Sequence, residues 1–139
     1  MPHVTILYTS NLEADADMPA LCRRLADTMI AARDEAGQPV FPVGGVRVYA
    51  HPSTHHAVAD GSSDDHGFVY INLRMARGRS PATQRSVGEA LAEATRAHFG
   101  PLLARRAFGL TLQVDEGPEV YDAKLGNLHA HFAQRAKKG

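Results

Sequence analysis

Residues 68–75 read Phe-Val-Tyr-Ile-Asn-Leu-Arg-Met. Val69, Ile71, Leu73 and Met75 fall on one side and Tyr70, Asn72 and Arg74 on the other, so the segment is a strand with one apolar face. Just beyond it, Ser80-Pro81 supplies a helix with its cap and first position. Val87, Leu91, Ala94 and His98 mark one side of that helix, which should reach about Phe99, or Arg105 past a break at Gly100-Pro101. Leu110, Leu112 and Val114 then alternate with Thr111, Gln113 and Asp115 in a further strand. The helical crossover is long enough to bring the two strands parallel.

The same order is written upstream. Val4 to Thr9 (VTILYT) is β-branched and aromatic, a strand. Asn11 to Asp17 reads as a polar loop, after which Asp17 caps a helix with Pro19 in its first turn. Leu21, Leu25 and Met29 recur every four residues over a helix expected at 18–33, stopped by Gly37 and Pro39. Phe41 to Ala50 (FPVGGVRVYA) is expected as the second strand, and the polar stretch His51 to His66 as a connection. One domain over 1–139 follows, built from two β-α-β halves at about 2–52 and 66–118. A short C-terminal segment completes it, with a helix around Lys124 to Arg135 and a frayed end at Lys137-Lys138-Gly139. Four strands with two helices on one face make an α+β sandwich. Its helix-free face, semi-polar at Tyr70, Asn72, Arg74 and Gln113, is left to solvent or another subunit.

Composition narrows the chemistry. Fifteen basic residues balance fifteen acidic ones, so no net charge draws the chain to nucleic acid or an anionic membrane. No apolar run approaches the ~18 residues of a membrane span. The single cysteine, Cys22, has no intrachain partner, which points to a reducing cytoplasm. Lysine occurs only at 124, 137 and 138, so a base in the first 123 residues must be another group. Arginines are plentiful there, and their planar guanidinium groups grip carboxylates in a two-pronged fork. An anionic substrate is the natural match.

Nucleotide, zinc-protease and nucleophile-elbow signatures are missing. His51, His55, His56, Asp60, Asp64, Asp65 and His66 share one loop, but metal ligands need rigid support, so the loop reads as solvated and no metal is expected. His129 and His131 cannot share a helix face, and Cys22 sits on the apolar side of its helix as a packing residue. Pro2 is different. A small second residue favours removal of Met1, which would leave proline with a free secondary amine. An α-amino group titrates closer to neutrality than any lysine, and an apolar, Arg-lined pocket lowers it further. Because the strand starts at once, such an amine would be a general base on a rigid support.

Several stretches carry a resemblance. Pro2-His3 before a strand, Phe41-Pro42-V-G-G-V-Arg47, Ala59-Asp60-Gly61, Gly78-Arg79-Ser80 and Asn127-Leu128-His129-Ala130 occur in order between residues 2 and about 132. Together they resemble the 5-carboxymethyl-2-hydroxymuconate isomerase family of the tautomerase superfamily. The resemblance implies a β-α-β-β-α-β tautomerase (MIF-like) fold assembled as a homotrimer. It implies an isomerase without cofactor, shifting a proton along an unsaturated hydroxy or oxo polycarboxylate in aromatic (homoprotocatechuate) catabolism. Pro2 would be the catalytic base, and Arg47 and Arg79 match the family's substrate-binding arginines. Guanidinium groups suit that task, since a proton moving through a dienol builds negative charge on oxygen.

Two features depart from the pattern: residues 31–40 are longer than expected, and 51–66 is rich in histidine. The second half starts inside the chain at Gly67-Phe68 and has no amine, so one site per subunit follows. Two other readings keep the scaffold. One uses protonated Pro2 as an acid in hydration or dehalogenation of an unsaturated acid; the other is a silent ligand-binding trimer. The protonation state of Pro2 separates the first two, and retention of Met1 would favour the third.

Overall fold

The computed structural model describes residues 2–138. Strand β1 (His3–Thr9) runs parallel to β2 (Val48–Ser53) on one side and antiparallel to β3 (Gly67–Ala76) on the other. Strand β4 (Phe108–Gly117) pairs parallel with β3, so the sheet order is β2-β1-β3-β4. Helices α2 (Met18–Ala31) and α3 (Pro81–Leu103) are the two crossovers and pack on each other. A short α1 (Glu13–Ala16) precedes α2, and α4 (Leu128–Lys138) ends the described chain.

The period-two pattern of β1 and β3 builds the core. Val4, Ile6, Tyr8, Val69, Ile71, Leu73 and Met75 are buried against Leu21, Leu25 and Met29 of α2 and Val87, Leu91 and Phe99 of α3. Asp17 caps α2 by accepting from the Ala20 N–H at 3.3 Å, and Ser80 caps α3 by accepting from the Thr83 N–H at 3.1 Å. Both caps are where the sequence puts them.

Several boundaries differ from expectation. Phe41 to Arg47 is not strand: Pro42 leads into a 3₁₀ turn at Val43–Gly45, and β2 begins at Val48 and takes in His51 to Ser53 from the expected connection. Pro52 is tolerated because β2 is an edge strand. Helix α2 stops at Ala31, since Ala32 is extended and Arg33 bridges back to Pro39. Ser10 to Ala16 is a 3₁₀ turn followed by α1, where a loop was expected. Helix α3 continues through Gly100-Pro101 to Leu103, and α4 includes Lys137 and Lys138, expected to fray; Gly139 lies outside the described residues.

The helix-free face is mixed. Leu7, Tyr49 and Phe68 are 40–46% exposed there. Beside them the Tyr70 hydroxyl donates to Gln113 Oε1 at 2.9 Å, and Asn72 Nδ2 donates to Asp115 Oδ2 at 2.8 Å.

Candidate active site

The strand registers gather the three candidate residues at one end of the sheet. His3 lies opposite Arg74 of β3 and Val4 beside Val48 of β2, so Pro2 precedes β1 where β2 begins and β3 ends. Pro2 is buried. The Val4 N–H donates to the Arg47 carbonyl at 3.0 Å, which fixes the backbone of Arg47 against the start of β1. Arg79 follows the other strand end by three residues and donates from Nη1 to the Ala76 carbonyl at 3.1 Å. Met1, and with it its expected removal, lies outside the described residues.

The two arginines are held differently. The Arg47 guanidinium makes one hydrogen bond among the described residues, from Nη1 to the Gly45 carbonyl at 3.3 Å. It borders two open cavities of about 520 and 480 Å³, walled on the far side by the C-terminal segment. Leu128 lines both, Phe132 the first, and Lys124 and His129 the second. Gly44 lets α4 come this close, because a Cβ there would meet backbone atoms of Leu128 and His129 at 3.1 Å.

Arg79 is more committed. Its Nε and Nη2 both donate to the Val40 carbonyl, at 3.3 and 3.1 Å, and its guanidinium lies over the Phe41 ring, 4.9 Å from the centroid. Partial burial lowers its pKa, the direction desolvation gives a cation, yet guanidinium stays charged at any ordinary pH. Two of its five N–H groups are not used in these bonds. Arg79 lines a separate cavity of about 280 Å³ with Glu35 and Gly78. The structure thus sets Pro2 and Arg47 at one sheet end, linked through Val4, and Arg79 at the same end by way of Ala76.

Residues 2–132 match the family described as 5-carboxymethyl-2-hydroxymuconate isomerase. The chain belongs to that family. It is 30% identical over 132 residues, 95% of this chain and 99% of the other, to 5-carboxymethyl-2-hydroxymuconate Delta-isomerase of Escherichia coli. A crystal structure of a 5-carboxymethyl-2-hydroxymuconate delta-isomerase superposes with a TM-score of 0.91 at 56% identity, covering 95% of this chain and 93% of that one. A second, the isomerase from Deinococcus radiodurans R1, gives 0.84 at 32% identity, covering 94% and 93%. More distant solved structures, a macrophage migration inhibitory factor-like protein among them, share the fold, so the α+β tautomerase (MIF-like) expectation holds. The chain is an isomerase of this family.

Within this isomerase fold the remaining candidates fall into place. Among the described residues no group of three or more His, Cys, Asp or Glu side chains is arranged to hold a metal ion. The His-rich loop is pinned at its end instead, where Asn11 Nδ2 donates to the Asp64 and His66 carbonyls at 2.9 and 2.8 Å. Cys22 packs at the core's margin and lines the larger cavity beside Arg47; burial pushes its thiol up. Tyr8, which donates to Glu13, is pushed up to about 12 by burial first and that carboxylate second, so it stays protonated. No described helix is long and apolar enough to cross a membrane. Two further residues border the site. His3 borders the Arg47 cavity, and the alternation of β1 could have flagged it. Glu35 borders the Arg79 cavity, and nothing in the local sequence marks it.

Proposed function

We propose that the protein moves a proton along 5-carboxymethyl-2-hydroxymuconate, or a closely similar unsaturated hydroxy or oxo polycarboxylate, with the Pro2 nitrogen as general base and no cofactor. The observation that carries this reading is the buried Pro2 at the start of β1, tied through Val4 to Arg47 and its open cavities. With Met1 removed, the neutral secondary amine accepts a proton from the substrate's hydroxyl or carbon, electron density moves through the conjugated chain, and the proton returns to another carbon. Nothing is consumed in that sequence. Arg47 and the remaining N–H groups of Arg79 hold the carboxylates and meet the negative charge that grows on oxygen. Burial disfavours the charged form of an amine, which suits a base working near neutrality.

The exposed, mixed face of the sheet fits a closed homotrimer with sheets turned inward, working in the cytoplasm as the lone cysteine suggests. The direct test is turnover of hydroxymuconates and oxo-enoates by a preparation whose intact mass shows a free Pro2. The acid limb of kcat/KM against pH should lie below the value of an unperturbed terminal amine. Absence of turnover on the whole panel would sink the reading. A stable monomer at micromolar concentration in sedimentation would sink the trimer.

A further inference from the structure

The long connection at residues 31–40 places a carboxylate behind Arg79. We propose that Glu35 is a positioning residue for Arg79, setting how that guanidinium meets a substrate carboxylate; this rests on the role of Arg79 given above. The connection is a tight hairpin. Asp34 Oδ1 accepts from the Ala36 and Gln38 N–H groups at 2.9 Å each, Gly37 turns at φ +78°, and the Val40 N–H closes onto the Ala32 carbonyl at 3.1 Å. One limb holds Arg79 itself, and the tip holds Ser80 and Thr83 just after it. The outgoing limb supplies the Val40 carbonyl and Phe41 ring that hold the guanidinium. The tip supplies Glu35, which accepts from the Ser80 hydroxyl and, at 2.7 Å, from the Thr83 hydroxyl.

Those contacts matter because of what precedes Arg79. Gly78 has φ +114°, which glycine adopts freely, so the backbone on that side is loosely set and only the Nη1 bond to the Ala76 carbonyl ties the arginine there. Ser80 is the next residue on the other side, and Glu35 fixes it. The carboxylate also sits at the amino end of the 23-residue α3, where the helix dipole favours negative charge. Thr83 is only 4% exposed, and Glu35 satisfies its hydroxyl. The adjoining cavity of about 280 Å³ leaves Arg79 room to move if the grip is released.

The test is steady-state kinetics with melting temperatures on Glu35→Ala, Glu35→Gln, Arg79→Ala and the double variant. Glu35→Ala should raise KM about tenfold with kcat within about twofold, since binding geometry is disturbed and the base is not. Glu35→Gln keeps an oxygen acceptor and should recover most of the loss. In the Arg79→Ala background, Glu35→Ala should change KM by less than about twofold, because a residue acting through another has nothing left to act on. Arg79→Lys takes that place should Arg79→Ala not fold. Equal factors in both backgrounds, wild-type KM in Glu35→Ala, or no recovery in Glu35→Gln would overturn the proposal while leaving Arg79 its role. Wild-type kinetics in Arg79→Ala would overturn the role of Arg79 itself.

Discussion

Each half of the fold sets an arginine close to the start of its first strand. In one half Arg47 immediately precedes β2, beside Pro2-His3; in the other Arg106 precedes β4 by two residues, beside His66-Gly67. Because β1 and β3 are antiparallel, these corners lie at opposite ends of the sheet. Arg106 already holds a carboxylate: Nη1 donates to Asp15 Oδ2 at 3.2 Å, Nε and Nη2 donate to the Asp65 carbonyl at 3.2 and 3.1 Å, and the side chain is 14% exposed. Arg47 has a single carbonyl contact and two cavities beside it. Equivalent placement therefore does not give equivalent chemistry. A corner whose arginine is already paired with a carboxylate has its charge met inside the protein, whereas one whose arginine holds only a carbonyl keeps it for an anion.

The largest effect should come from removing what the second corner never had. Blocking the Pro2 nitrogen, by a retained Met1 or one added residue, should lower kcat/KM by roughly 10²–10⁴-fold or more, the range for a lost general base. Assembly and melting temperature should barely change. Full activity in a preparation whose intact mass shows the nitrogen blocked would end the contrast. Next comes a crossed pair. Arg47→Ala should cost about 10²-fold in kcat/KM with little loss of stability. Arg106→Ala should leave kinetics nearly intact yet destabilise by about 1–3 kcal/mol, through loss of charged, part-buried hydrogen bonds. Matching losses of activity at both sites would mean that the corners are alike after all.

A smaller effect concerns pH. The Ser80 and Thr83 hydroxyls hold the Glu35 carboxyl below its ordinary value. A carboxyl depressed in the folded state contributes stability above its unfolded pKa, and that contribution is lost as pH falls through the folded value. The melting-temperature gap between wild type and Glu35→Ala should thus be full at neutrality and close in acid. A gap that stays constant through the acid range would contradict the hydrogen-bonded carboxylate. Smallest is the thiol. With its pKa raised by burial, Cys22 should react with iodoacetamide at neutral pH about tenfold or more slowly than an exposed cysteine. Rapid labelling would show that the wall of the Arg47 cavity opens.

What could be read in the chain alone was what depends on neighbours. The alternation of Val69, Ile71, Leu73 and Met75, the Ser80-Pro81 cap and the periodic Leu21, Leu25 and Met29 are local patterns, and each forms as expected. In Phe41 to Ala50 the β-branched and aromatic residues favour a strand, while Pro42 and Gly44-Gly45 impose a turn, against which Leu128 and His129 of α4 pack from far along the chain. At the site, Pro2, Arg47 and Arg79 could be nominated by residue type and by resemblance. That Arg79 holds the Val40 carbonyl, and Glu35 the hydroxyl of Ser80 at a separation of 45 residues, is set by tertiary packing and leaves no trace in either segment.

The inner position of β1 also orders events during synthesis. Its two partners, β2 and β3, lie at residues 48–53 and 67–76, so the first strand made is enclosed only when most of the other strands have emerged. At ribosomal speeds that interval is on the order of several seconds. In the proposed reading Met1 must be removed to free the Pro2 nitrogen, and Pro2 is buried once the strands have paired. The proposed removal of Met1 would thus have that interval in which to act, because the strand order delays the burial of Pro2.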